Sequence, residues 1–573
     1  MKYRWKFRQK PDEKDIQKLA SLLKIPKSLA KILVVRGLTE KSDIDKFFQP
    51  EQEDIHDPFL MDGMEEAVDK VLETVKNKEL IWIHGDYDVD GTASTAMIYE
   101  FIRDIGGNVR YYIPDRFHEG YGLSKSSIDK ANALGAKLLI SVDVGITSFE
   151  PLAHAREKGI FSIVCDHHEP GDDLPNANII LDPLKETCKY PFKHLSACGV
   201  TFKLVQAISQ KMGTEEKSFK YLDLVAVASA ADMVPLVGEN RTLAHLGLKT
   251  LNSAPRPGFK GLMYCTGLKP GTITTSSIVY SLAPLINAAG RLGDASRSVE
   301  MMIQKDEIEA FRIAQQLEHE NRRRRAFDEK TFEEAAPYAE KLLKSKPYKS
   351  LVLHKPNWHA GVIGIVASRL VDRFNLPTVL LTTIDGTAKG SARSISSFDI
   401  HNALKACSEY LIEFGGHKHA AGLSMEEKHI PEFRESFNEI AQHAISNEML
   451  VPEIVIDTEL KLNELSPNFM HILGKFAPYG FENIKPVFYS RGVVSSNGLK
   501  IVGNNHLKFR AYQHHFVIDA IGYNLAHKID LCTEGKPFSI VYNLEETVFN
   551  GYNTIQLKIK DIRPDLQPGE EID

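Results

Sequence analysis

The chain has 573 residues with a formal net charge of -6 at pH 7, a length that suits about three or four domains. The small acidic balance does not decide its partners, because nucleic-acid enzymes need a local basic channel and not a basic total. Six scattered cysteines without a CxxC pair exclude a zinc ribbon and a disulfide framework. No apolar run reaches roughly eighteen residues, and Met1 to Lys6 contains no hydrophobic signal region. A cytoplasmic protein with no membrane partner is therefore expected.

In chain order, residues 1 to about 50 read as short amphipathic helices, such as Ile16 to Leu23. A helix follows at Met64 to Lys76. From about 78 to 235 strands and helices alternate, with apolar runs ending at Ile83, Ile113, Val142, Cys165 and Leu181. Such alternation predicts a doubly wound, mainly parallel sheet, whose sites form at the carboxyl ends of its strands. Residues 236 to 300 read as helices with loops. A long polar helix then spans roughly Asp306 to Lys344 and carries the run Arg322 to Arg325. Its length suggests a bridge between two domains, and the Arg run is either a phosphate contact or a solvated face. A second α/β unit is expected at about 348 to 450. From about 451 short alternating strands and turns predict an all-β module, a small barrel.

The most informative stretch is His84-Gly85-Asp86-Tyr87-Asp88-Val89-Asp90-Gly91, at the mouth of the apolar strand Leu80 to Ile83. One Asp would serve as a helix cap. Three plus an imidazole are costly unless something positive sits among them. The pattern recurs at later strand ends, at Asp143 and at Asp166-His167-His168, and the helix Leu222 to Ala231 ends in Asp232. Four such ends on one sheet point to divalent metal, and oxygen and imidazole donors without thiolate favour Mn²⁺ or Mg²⁺. Cys165 beside this motif reads as core.

These residues resemble the four motifs of the DHH phosphoesterase superfamily. The longer segments Glu119-Gly120-Tyr121-Gly122-Leu123, Val142 to Thr147, Ile286 to Arg291, Trp358 to Gly364, Gly390 to Ser394 and Gly415-Gly416-His417 resemble its RecJ branch. The resemblance covers nearly the whole chain and is weakest in the last 120 or so residues. It implies an α/β multidomain architecture: an N-terminal helical extension (1–50), a DHH catalytic domain with helical extension (51–305), a connecting helix (306–345), a DHHA1-type substrate-binding domain (346–450) and an OB-type nucleic-acid-binding barrel (451–573).

The resemblance also implies two Mn²⁺ or Mg²⁺ ions. His84 and Asp88 would hold the first, Asp90, His167 and Asp232 the second, and Asp143 would bridge them. Asp86 and His168 would orient ligands or touch the phosphate. His417 would stand at the scissile phosphate, with Gly415 and Gly416 allowing close backbone approach. Ser391, Arg393 and Arg291 would form a pocket for a 5′-terminal phosphate, with Arg116 a weaker addition and Tyr121 stacking on a base or sugar. Leu285 stands where many relatives have Arg, which removes a cation near Arg291. In the barrel, Lys508, Phe509, Arg510, Tyr512, Lys558 and Lys560 mix cations with rings as OB folds do to grip single strands.

The activity implied is hydrolysis of single-stranded DNA from its 5′ end to 5′-mononucleotides. Two cations about 3.5–4 Å apart would clamp the attacking and leaving oxygens of an in-line displacement. Recombination and repair are the implied processes, and a single-strand-binding protein and a RecQ-type helicase the implied partners of a monomer. The alternatives are a phosphodiesterase of short oligonucleotides or cyclic dinucleotides, and a non-catalytic DNA-binding scaffold. The intact ligand set argues against the scaffold.

Overall fold

The computed structural model describes residues 3–8, 11–115, 119–120, 122–496, 498–533, 535–549 and 552–565. It divides into two compact units: Gln52–Leu450 with Gly480–Glu482, and Met1–Glu51 with Val451–Tyr479 and Asn483–Asp573. No described helix is long and apolar enough to cross a membrane.

The second of these units begins with a strand the sequence reading missed, β1 (Arg4–Phe7). Four residues with two cations give too short a pattern to read locally; the strand exists because it has a distant partner. The helices Glu13–Leu23, Lys27–Val35 and Lys41–Phe48 follow. In the first unit, β2 (Leu80–His84), β3 (Asn108–Tyr112), β4 (Ala136–Val142), β5 (Phe161–Cys165) and β6 (Ile179–Leu181) form one sheet in the order β3-β2-β4-β5-β6. Every pairing in it is parallel. Strands β2 and β4 are apolar on both faces because helices cover both. The chain order reverses between β2 and β4, the place where doubly wound sheets bind ligands.

A 39-residue helix, Glu307–Ser345, leads to the second sheet of that unit. Its Arg run is divided: Arg322 pairs with Glu318, Arg324 is buried and bonds Asn321 at 3.0 Å, and Arg323 and Arg325 are exposed. The sheet holds β7 (Leu351–His354), β8 (Thr378–Ile384), β9 (Thr387–Arg393), β10 (Glu413–His417) and β11 (Ala420–Glu426), in the order β10-β11-β9-β8-β7. Only β7 and β8 pair in parallel.

The remaining strands return to the other unit. They are β12 (Glu453–Ile456), β13 (Thr458–Glu459), β14 (Phe488–Ser495), β15 (Lys500–Val502), β16 (His506–Gln513), β17 (Phe516–Gly522), β18 (Phe538–Phe549) and β19 (Tyr552–Pro564). Strand β12 is the parallel partner of β1. Pairings β14-β18-β19-β17-β16 and back to β14 close a five-stranded barrel. Closure removes the exposed edges that an open sheet would carry. The N-terminal helices share the barrel's core: Leu19, Leu29 and Leu33 pack in one cluster with Phe469, Phe488 and Phe538. Phe509 is also core, 1% exposed and edge-on to Phe538. It is therefore not one of the rings expected to grip a strand, whereas Lys508, Arg510 and Tyr512 alternate with it on the outer face.

Candidate metal centre and phosphate cleft

The expected acids and imidazoles do converge. His84 ends β2, Asp143 follows β4, and Asp166, His167 and His168 follow β5. Asp88 caps the helix Val89–Asp104, accepting from the backbone N–H of Asp90 at 2.8 Å and of Gly91 at 3.1 Å. Gly91 is needed there, because a Cβ would stand 2.6 Å from the Asp86 nitrogen. Asp90 is aimed by a second helix: its two oxygens accept from the N–H groups of Ala197 and Cys198, each at 2.8 Å, at the positive start of Ala197–Lys211.

Among the described residues, three sets of donor atoms lie within 4.8 Å of one another: Asp90 with His167 and Asp232, Asp86 with Asp88 and Asp143, and Asp143 with His167 and His168. The Nε2 of His167 is 3.4 Å from Asp143, 3.7 Å from Asp232 and 3.9 Å from Asp90. The first set is the trio expected on one ion. The second differs from expectation, since Asp86 stands with Asp88 and Asp143 where the sequence reading put His84. His84 is fully buried, and among the described residues neither ring nitrogen meets a hydrogen-bond partner at normal geometry. Asp143 takes the left-handed backbone at φ 64°. Asp tolerates that conformation better than most residues, and local strain of this kind is held where the surroundings over-determine it.

The electrostatics fit a bound divalent cation. Burial and then the neighbouring carboxylates push Asp143 well above the ordinary range, Asp90 up to about 7 and Asp232 up to about 8. Burial lowers His84 and His167 to about 4, so both imidazoles are neutral and available as ligands. The Cys165 thiol is raised by burial and offers no thiolate. His168 is the exception. Burial works against its cation, yet the Asp166 carboxylate, 2.7 Å from Nδ1, lifts it to about 9. Asp166 also accepts from the backbone of Ile146 and His167. Its supporting role was not assigned from sequence; the signal available was its position as the first residue after an apolar strand.

A pH prediction follows from the raised carboxylates. Their folded-state pKa values exceed the unfolded ones, so the stability they contribute is complete in acid and is lost as pH rises through about 7 to 8. In chelator, Tm should therefore fall between about pH 6 and about pH 9. Added Mn²⁺ should raise Tm more at the upper end, because ionised ligands bind metal best. Thermal melts with and without Mn²⁺ across that range check this; a Mn²⁺ shift that shrinks with pH contradicts it.

A cleft of about 450 Å³ lies beside the centre. Arg291, Ser391, Arg393 and Gly416, four of the expected substrate contacts, all line it. The guanidinium of Arg393 donates to Ser391 Oγ at 2.9 Å, and Arg291 donates to the Gly361 carbonyl at 3.3 Å. The start of the helix Ala360–Phe374 also faces the cleft and favours an anion. Gly364 permits this approach, since a Cβ would stand 2.8 Å from Ser391 Oγ. Leu285 is core, 2% exposed. A cation that sequence reasoning missed is Lys389, which shares the face of β9 with Ser391 and Arg393; period-two alternation would have found it. Gly415 is exposed on β10. His417, at the end of β10, lies parallel to the His168 ring at a centroid distance of 6.5 Å, which brings the second sheet to the metal centre. Arg116 and Tyr121 lie outside the described residues.

Comparison with known proteins gives the same outline. Residues 80–229 match the DHH family, N-terminal domain; residues 346–443 match the DHHA1 domain; residues 456–561 match the RecJ OB domain. The chain is 34% identical over 563 residues to the single-stranded-DNA-specific exonuclease RecJ of Bacillus subtilis strain 168, across 98% of this chain and 71% of that one. The chain belongs to the RecJ family. The RecJ exonuclease of Escherichia coli K12 is 32% identical, across 94% of this chain and 96% of its own. Among solved structures, RecJ of Thermus thermophilus in complex with Mn²⁺ superposes with a TM-score of 0.83 at 27% identity, covering 98% of this chain and 80% of that one. The same protein in complex with Mg²⁺ gives 0.78 at 25%.

Proposed function

We propose that this RecJ-family chain is a Mn²⁺- or Mg²⁺-dependent exonuclease that degrades single-stranded DNA from the 5′ end to 5′-mononucleotides, in recombination and repair. The observation that carries this reading is the pairing of the acidic centre with the Arg291–Ser391–Arg393 cleft across the His168–His417 contact. One place suits metal and the other a terminal phosphate, as removal of a single nucleotide from a phosphorylated end requires.

Asp90, His167 and Asp232 would hold one ion; Asp88 and Asp143, with His84 and Asp86, the other; Asp143 faces both groups. The ions would supply Lewis-acid stabilisation of phosphoryl oxygens and activation of the attacking water. Asp166 fixes the His168 ring through Nδ1, which leaves its other nitrogen for the phosphate or the leaving 3′ oxygen. His417 approaches the same phosphate from β10. Arg291, Ser391 and Arg393 grip the 5′-terminal phosphate and set entry from that end. The barrel's outer face of Lys508, Arg510 and Tyr512 holds the downstream strand. A single-strand-binding protein and a RecQ-type helicase supply that strand to a cytoplasmic monomer. The reading predicts cleavage of long single strands well above that of the matching duplex or of cyclic dinucleotides. A rate on cyclic dinucleotides equal to that on long strands would favour the small-phosphodiester alternative.

A further inference from the structure

A second cleft, of about 420 Å³, opens beside the phosphate cleft. Phe327 and Lys330 of the long helix form one wall, and Asn357, Trp358 and His359 after β7 form the other. Ala360 and Ile384 line both clefts, so the two adjoin. The Phe327 ring stacks on His359 with centroids 4.9 Å apart and planes at 24°, and 37% of Phe327 is exposed. An aromatic pair with an open face is a stacking platform for a nucleobase. Arg323, Phe327 and Lys330 follow one another at helical spacing on the same face. Among the described lining residues the one carboxylate, Glu334, is held by Lys355 at 2.9 Å and Trp358 at 3.0 Å, and so does not oppose an anionic strand.

The sheet orders the three places. Strand β10 brings Gly416 and His417 to the metal centre, β9 carries Ser391 and Arg393, and β7 leads into the ring cleft. The order β10-β11-β9-β8-β7 puts the ring cleft next to the phosphate cleft on the side away from β10, about one step along a strand. A nucleoside joined to the outer oxygen of a phosphate held at Ser391 and Arg393 spans such a step.

We infer that Phe327 and His359 form a nucleoside subsite upstream of the phosphate cleft, by which a strand ending in a 5′-hydroxyl is engaged one nucleotide further in. This rests on the exonuclease reading. The terminal base stacks on Phe327, and the first internal phosphate takes the place of the missing terminal one. Hydrolysis then falls on the next phosphodiester. The water oxygen bonds to phosphorus, the bond to the 3′ oxygen of the second nucleotide breaks, and that oxygen takes a proton. A dinucleoside monophosphate leaves, and the remaining strand begins with a 5′-phosphate and shortens by mononucleotides thereafter.

Two readouts test this. In chelator, a 5′-hydroxyl strand with 2-aminopurine as its first base should be quenched on binding, and Phe327→Ala should lose the quench. With Mn²⁺, the first product from an unlabelled 5′-hydroxyl strand should be the dinucleoside monophosphate. The ratio of turnover on 5′-hydroxyl to 5′-phosphate ends should fall about tenfold in Phe327→Ala and return in Phe327→Trp. A nucleoside as first product, no cleavage of the 5′-hydroxyl strand, or an unchanged ratio in Phe327→Ala each overturns the subsite while cleavage of the phosphorylated strand leaves the exonuclease reading standing. A protein that cuts neither strand removes both.

Discussion

Replacing Asp143 by Asn should lower turnover of single-stranded DNA on the order of a thousandfold or more while leaving strand binding largely in place. Among the described residues, Asp143 is the one carboxylate that stands with both Asp86–Asp88 and His167–His168, so its loss touches two of the three donor sets. Asn has the same shape and tolerates the left-handed backbone found at φ 64°. The N–H of residue 143 would still donate to the Cys165 carbonyl at 3.0 Å. The variant should therefore fold, and in chelator should melt higher than the parent, because one of several mutually repelling buried carboxylates is gone. Steady-state rates, calorimetric Mn²⁺ titration and thermal melts measure the three effects. Activity within about tenfold of the parent would remove Asp143 from the metal set.

The pattern of the centre was legible because each acid or imidazole follows an apolar strand, and a sheet brings strand ends together whatever lies between them. The partition among ions was not: Asp86 and His84 are two residues apart, and only side-chain direction separates them. Strand β1 was hidden because its partner, β12, lies more than four hundred residues on. The Phe327–His359 stack was equally hidden, since a helix and a loop meet there by packing and neither has a local signal. Phe509 shows the converse: β16 alternates Leu507, Phe509 and Ala511 with Lys508, Arg510 and Tyr512, so the period of two already assigns Phe509 to the core face and only the analogy with OB folds placed it among the gripping rings.

The second large effect is on stability. Arg256→Ala should destabilise the unit that carries the metal centre by about 3–5 kcal/mol. The Arg256 guanidinium donates to both oxygens of Asp223, at 2.7 and 2.9 Å, to Glu100 at 3.2 Å and to the Met302 carbonyl at 2.9 Å. Asp223 and Glu100 are each 2% exposed. Without Arg256, Asp223 is left as a buried charge with its cation removed; Glu100 retains Lys305. The helices so joined, Val89–Asp104 and Leu222–Ala231, bear Asp90 and Asp232 at their ends, so Mn²⁺ affinity should fall as well. Adding Asp223→Asn should recover part of the loss by removing the orphaned charge. Denaturant unfolding of the parent, single and double variants measures this; a loss under about 1 kcal/mol for Arg256→Ala would mean the pair is no more than a surface contact.

The central claim concerns metal, strand and polarity together. A single strand with distinguishable labels at its two ends, incubated with the protein and Mn²⁺, tests all three. The 5′ label should be released at once as a mononucleotide while the 3′ label stays on a steadily shortening strand, and chelator should stop both. Release of the 3′ label first, or fragments cut internally, would contradict the account.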